Sequence, residues 1–359
     1  MPVNFTTEVV SDFLTAMAFF YGFVVSINQI RKGINYRFYQ YSAFAWLTMG
    51  TCCLLFGIAN LLLIIEIEKV ALIFYTIGAF FVLLKAETLK REQVEPVKLT
   101  IFLILGSAAV IFFYVFPNAV TETTIANGAK LIYIDPILGS PFLGACGLSL
   151  VYYLYCTYLV NKKAPTPLKG YSRAYFTGFF LCVCSVSLWG TINPIVPGYP
   201  LLIGTVGVFM VAYSYSREPK LLFVLPFTAL RLTVLETESG LPLFTHTWNR
   251  LGNLADEDLF SGMLQGISII VRQSLKRGDV QEIRVADAII IAFRNPDYPV
   301  AYVLVATRPS RSLRDGLKLF AERFCGEFHD CFATASDADQ FNGAENLVTS
   351  CFPHVPVYD

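Results

Sequence analysis

Residues 101–116 read IFLILGSAAVIFFYVF, an apolar run without one charged side chain. A helix needs roughly 20 apolar residues to cross the hydrocarbon core of a bilayer, and Val97 to Phe116 supplies them. Lipid offers the backbone no hydrogen-bond partner, so such a run spans as a helix rather than as an open strand. Working outward, six further stretches fit the same template, near residues 9–28, 42–65, 69–87, 140–160, 172–192 and 199–216. Seven transmembrane helices are therefore expected. Short polar or proline-containing links join them, with one longer connection from Pro117 to Gly139.

The chain as a whole is 55% hydrophobic and 15% charged, where a soluble globular protein has about 25% charged residues. This excess stops near Ser216, which divides the 359 residues into a seven-helix transmembrane domain (1–216), a membrane-proximal linker (217–227) and a domain of ordinary soluble composition (228–359). Met1 to Thr7 lacks the basic segment of a cleaved signal peptide, so the first span is expected to be retained. The basic residues set the orientation. Arg31, Lys32 and Arg37 flank the first link, Lys90, Arg91 and Lys98 the third, and Lys162, Lys163, Lys169 and Arg173 the fifth, while the even links offer only Lys69 and Lys130. Odd links then face the cytosol. The expected protein is a multi-pass cell-membrane protein with its N-terminus outside and its C-terminal domain cytosolic.

The first and last three spans share a layout. Ser11-Asp12-Phe13-Leu14 corresponds to Ser140-Pro141-Phe142-Leu143, Tyr41-Ser42-Ala43 to Tyr171-Ser172-Arg173, and Ile77-Gly78 to Ile203-Gly204. A three-plus-one-plus-three repeat with the fourth span as linker is a transporter architecture. Sugar-transporting and PQ-loop proteins have this count and orientation. The present sequence departs from them in lacking the Pro-Gln signature and the mid-span prolines of their first triplet.

Ionisable residues deep in a span mark ion paths or counter-ions. Asp12, Lys85 and Glu87 fall near predicted span ends, where water is in reach, and Asn60 is expected as a mid-span polar residue bonding one helix to another. The seventh span contains no lysine, which excludes a retinal Schiff base at the usual position. Tyr152, Tyr153, Tyr155 and Tyr158 fit a headgroup-level belt. Lys130 to Gly139 is too apolar for a freely solvated loop and is expected to fold over the bundle, making Tyr133 and Asp135 the candidate outer ligand contacts. The six cysteines of the spans read as packing residues.

Beyond the linker the pattern changes to period two. Leu230, Leu232 and Val234 alternate with Arg231, Thr233 and Leu235, predicting a half-buried strand, and Leu241 to Trp248 completes a hairpin. A helix is expected from about Asp258 to Lys276, then strands at 280–285, 288–293 and 300–307, a helix capped by Ser310, and a final helix over 338–352. The order β-β-α-β-β-β-α-α implies an α+β domain with a five-stranded antiparallel sheet. That order, with Glu238-Ser-Gly-Leu-Pro-Leu-Phe244 and Asp258-Leu-Phe-Ser-Gly262, resembles archaeal longin-like domains of the longin/roadblock superfamily over residues 228–352. The resemblance implies a non-catalytic interaction module whose partners are small GTPases or other longin and roadblock proteins.

Arg308-Pro-Ser-Arg311-Ser-Leu-Arg314 is the compact basic cluster of this domain and the candidate partner or lipid contact. With 14 Lys+Arg against 18 Asp+Glu from Arg217 onward, nothing recommends nucleic acid. His246, His329 and His354 have no metal-ligand spacing, and no phosphate-binding loop appears. No catalytic residue, cofactor or metal is expected. The sequence therefore predicts a receptor-like or scaffold membrane protein whose cytosolic longin-like domain recruits a protein partner. The alternative is a small-molecule transporter on the helix repeat.

Overall fold

The computed structural model describes residues 6–31, 37–90, 95–124, 130–135, 137–192, 195, 197–225, 227–236, 242–248, 280–285, 288–294, 298–328, 338–341, 343–353 and 355–356. The chain divides into two compact units, one of Met1–Ala164 and Leu168–Leu222, the other of Pro165–Pro167 and Phe223–Asp359.

Among the described residues the first unit holds seven long helices: α1 (Thr7–Arg31), α2 (Arg37–Leu62), α3 (Ile65–Lys90), α4 (Pro96–Val115), α5 (Ser140–Lys163), α6 (Lys169–Ile192) and α7 (Tyr199–Arg217). Six of them, all but α6, are by length and composition apolar enough to cross a membrane, and the chain is a multi-pass membrane protein on that ground. Proline sits at the first or second position of α4, α5 and α7, where its missing N–H is not needed. Neighbour packing runs α1–α2–α3–α5–α6–α7 and back to α1, a closed ring, while α4 lies against α5 and, more lightly, α3. Consistent with that place outside the ring, 22% of the α4 apolar window is buried, against 44–50% for α1, α2 and α3.

Glycines decide how closely some of these helices approach. A Cβ on Gly207 would lie 2.4 Å from Gly178 O and 2.8 Å from Cys182 Sγ, and one on Gly178 would lie 2.8 Å from Gly207 O. Small residues of this kind let membrane helices touch along their backbones. Gly207→Ala should therefore destabilise the bundle by roughly 1–3 kcal/mol, the usual range for overpacking, read as a lower denaturation midpoint of the full chain in detergent. Gly147→Ala, whose added methyl meets nothing within 4 Å, should leave that midpoint unmoved.

The α2–α3 link is only Leu63 and Ile64, with Leu63 held at φ 54° in the left-handed region. Helix α3 accordingly runs from Ile65 to Lys90, longer at both ends than the expected span 69–87. The connection after α4 is not a plain loop. Strands β1 (Val120–Thr124) and β2 (Lys130–Ile134) form an antiparallel hairpin that packs against α3 and α2. Ala119 and Val120 join the core built by Phe102, Phe113 and Phe142.

The second unit holds strands β3 (Ala229–Glu236), β4 (Pro242–Thr247), β5 (Val280–Val285), β6 (Ala288–Arg294) and β7 (Val300–Ala306). They make one antiparallel five-stranded sheet of order β4-β3-β7-β6-β5. The expectation of a half-buried first strand is corrected: β3 lies between β4 and β7, and Leu232, Thr233, Val234 and Leu235 are all buried. One face carries Leu235, Ile290, Ala292, Ala301, Val303 and Val305 as a core. On the other, Tyr302 meets Phe320 and Phe324 of the helix Arg311–Glu327. Its hydroxyl lies 3.0 Å from Cys325 Sγ, and burial pushes the phenol above its ordinary pKa.

Ser310 caps that helix as expected, its hydroxyl accepting from Leu313 N at 3.4 Å. Ser310→Ala should cost about 1 kcal/mol, a difference that chemical denaturation followed by far-UV dichroism resolves. The final helix is shorter than expected: a 3₁₀ turn at Ala338–Phe341 precedes a helix limited to Ala344–Cys351, with Gly343 at its start. The helix predicted over 258–276 lies outside the described residues, as do Cys331, His329 and His354.

Candidate functional site

Helix α1 carries the first sign of a site. Its buried positions include Glu8, Ser11, Asp12, Thr15, Gly22, Ser26 and Gln29, each of which lies three, four or seven residues from another of the set. Its exposed positions include Val10, Leu14, Met17 and Val24. Spacings of three and four place residues on one helical face, so α1 turns a polar stripe into the bundle and an apolar one outward.

Asp12, Lys85 and Glu87 are each at most 2% exposed, which corrects the expectation that they reach water at span ends. Helix α3 carries Lys85 and Glu87 inside its length, and neighbouring helices close over all three. Lys85 is the most unusual of them. Its Nζ lies 4.5 Å from the ring centroid of Trp46, 4.9 Å from Tyr153, 5.0 Å from Phe38 and 5.5 Å from Tyr215. Four aromatic rings from α2, α5 and α7 thus surround an amine from α3. Each attracts a cation through its π-face, by about 2 kcal/mol when desolvated. Among the described residues the amine makes no hydrogen bond or ion pair.

The box is held by its own polar contacts. Trp46 Nε1 donates to the Tyr215 hydroxyl at 2.7 Å, and Ser26 Oγ lies 3.2 Å from the same oxygen. The hydroxyls of Tyr153 and Tyr175 pair directly. Gly22 sets the Trp46 position, since a Cβ there would come within 2.9 Å of the indole ring. Gly22→Ala should displace the Trp46 ring. The readout is a shifted Trp46 emission in a chain carrying phenylalanine at Trp189 and Trp248. Tyr39 packs edge-on to both Tyr215 and Phe38, at centroid distances of 6.0 and 5.7 Å, and its buried hydroxyl has no partner among the described residues.

Two other buried polar groups flank this one. Where α1 and α3 begin, Glu8, Asp12, Glu68 and Asn60 are buried together, Asn60 Nδ2 donating to Asp12 Oδ2 at 3.4 Å. Seventeen residues of α3 separate Glu68 from Lys85, about 25 Å at the helical rise. Near the other end of α3, Lys98 Nζ bridges Glu87 Oε1 and Glu95 Oε2, each at 2.8 Å, and stands 4.1 Å from the Tyr152 ring centroid. Among the described residues no group of three His, Cys, Asp or Glu side chains is placed to hold a metal ion.

The predicted site residues fall apart from the box. Asn60 lies two residues from the end of α2, tying α2 to α1 through Asp12. Tyr133 pairs in register with Thr121 in the hairpin. Asp135 follows the hairpin, its Oδ1 accepting from the backbone N–H of Ile137 and Leu138, both at 2.9 Å. In the second unit Arg308 and Arg311 are exposed, and Arg314 Nε donates to Glu282 Oε1 at 2.6 Å. Arg311, Arg314 and Lys318 line an open groove with Glu282 and Asp315. The tyrosine run of α5 divides: Tyr155 and Tyr158 are exposed as a belt requires, whereas Tyr153 is buried in the box. His246 Nδ1 lies 2.9 Å from Glu345 Oε1.

Sequence reasoning missed the box because its members lie as far apart as Phe38 and Tyr215. One signal was available, the three-and-four spacing of small polar residues in α1. No protein-family model matches this chain, and neither a curated protein nor a solved structure matches it.

Proposed function

We propose that this chain is a receptor-like membrane protein: its helical bundle binds a small molecule, and its α+β domain recruits a protein partner. The observation that carries the reading is Lys85, a buried amine ringed by four aromatic side chains, with no hydrogen bond or ion pair among the described residues. An ionisable side chain placed in a membrane bundle is costly and marks function rather than packing. In this reading α6, a 24-residue helix packed along α7, is the seventh span. The lysines and arginines of the odd links support an outside N-terminus and a cytosolic sheet domain. The five-stranded antiparallel sheet with the helix Arg311–Glu327 on one face supports a longin-like module. Its partner is then a small GTPase or another longin or roadblock protein.

The test uses the full chain in lipid nanodiscs as bait, with cytosol loaded in parallel with GDP or a non-hydrolysable GTP analogue. Nucleotide-dependent capture of a small GTPase, lost when Arg308, Arg311 and Arg314 are replaced by glutamate, is the expected result. Equal capture in both nucleotide states and by that variant contradicts the recruiting role.

A second reading, a small-molecule transporter, draws on one feature of the bundle. Helices α1–α3 pack consecutively, α5–α7 do the same, and α4 stands outside the ring, as a three-plus-one-plus-three repeat requires. Solute uptake into proteoliposomes, abolished by Asn60→Leu, would favour it.

A further inference from the structure

We infer that the small molecule bound beside Lys85 carries a carboxylate on an apolar body. This inference deepens the receptor reading and rests on it. An ammonium brings three N–H donors, and none of those on Lys85 meets an acceptor among the described residues. The Tyr39 hydroxyl, on a side chain with 0% exposure, is likewise without a partner among them. Both groups lie against Tyr215 and Phe38. What they lack in common is an acceptor, and a negatively charged one suits the amine.

A carboxylate supplies two oxygens, one for each donor, and charge-assisted bonds of this kind are the strong ones. The remaining surroundings dictate the rest of the ligand. Phe38, Trp46, Tyr153 and Tyr215 present ring faces and edges, and the hydroxyls of Tyr153 and Tyr215 are already engaged with Tyr175, Trp46 and Ser26. A body with several polar groups would leave them unpaired in a dry site, at a cost for each. An alkyl or aryl body would not. The acidic group of Glu8, Asp12 and Glu68 lies about 25 Å along α3, too far to repel the incoming anion at close range.

The experiment uses the full chain in nanodiscs with Trp189→Phe and Trp248→Phe, leaving Trp46 as the reporter. Benzoate and octanoate are the probes; benzamide and octanamide are matched neutral controls. The expected result is a saturable change of Trp46 emission with either carboxylate and none with the amides. Lys85→Met and Tyr39→Phe should each weaken the response at least tenfold, the lower end of the ordinary range for a lost bond to a charged group. Tyr39→Phe removes only a hydroxyl, so it remains decisive if Lys85→Met misfolds.

No response to either carboxylate overturns the inference, as does an equal response to the amides or undiminished binding in Tyr39→Phe. Water alone bonded to the two donors gives that silent outcome. Partner capture is measured separately: carboxylate binding with unchanged capture contradicts the receptor reading and leaves the site standing.

Discussion

Lys98→Met should destabilise the full chain by about 3 kcal/mol, the lower end of the range for breaking a buried ion pair. The lower end applies because Lys98 keeps 26% of its side chain exposed, whereas Glu87 keeps 1%. The effect comes from Glu87. Its Oε1 loses the Lys98 partner at 2.8 Å, and its Oε2 is already buried without one among the described residues. Glu95, half on the surface, is re-solvated when Lys98 goes and adds little. The check is a double-mutant cycle by denaturation in mixed micelles. Adding Glu87→Gln to Lys98→Met should restore more than half of the loss, because the stranded charge is gone. A double mutant as unstable as the single one would place the damage in the packing of Lys98 on Tyr152 instead.

Phe324→Ala is expected to cost the second unit about 3–5 kcal/mol, as large-to-small changes of buried phenylalanine do. Phe324 has 0% exposure and lies 4.8 Å from Phe328, 5.5 Å from Phe320 and 5.6 Å from Phe341, centroid to centroid. It also meets Phe244 of β4 and Tyr302 of β7. One ring therefore joins the helix Arg311–Glu327 to two strands and to the 3₁₀ turn at Ala338–Phe341. Amide exchange of the central strands β6 and β7 in the full chain should accelerate by roughly two orders of magnitude or more, following the lost stability. Unchanged exchange there would mean that the sheet does not depend on this aromatic layer.

What the sequence made legible follows from the range of each signal. Hydropathy acts over one helix length, and among the described residues the six helices long and apolar enough for a membrane match their expected spans to within about five residues at each end. Period-two alternation acts over one strand, and all five strands lie within about two residues of their expected bounds. Ser310 was readable for the same local reason. Burial of both faces of β3 was not, because it depends on β7, which follows about 65 residues later.

Lys85 illustrates the larger gap. A window average treats it as an interruption that ends a span, so α3 was stopped near Glu87. In the folded chain Glu87 is neutralised by Lys98 across the α3–α4 link, and the helix continues to Lys90. The four rings that make the interior hospitable to Lys85 come from three other helices, and no local pattern assembles them. The basic residues Arg308, Arg311 and Arg314 were legible as a cluster, yet the pairing of Arg314 with Glu282 of β5 needed the sheet.

The central claim is that the Lys85 amine is enclosed in the aromatic interior of the bundle. Amine acetylation of the full chain in nanodiscs, quantified by mass spectrometry before and after addition of SDS, tests it most directly. The account predicts that Lys162 and Lys163, exposed at the end of α5, acetylate within minutes. Lys85 should stay unmodified until the bundle is unfolded. Acetylation of Lys85 at the rate of Lys162 in the intact nanodisc would contradict the buried box and the ligand site built on it.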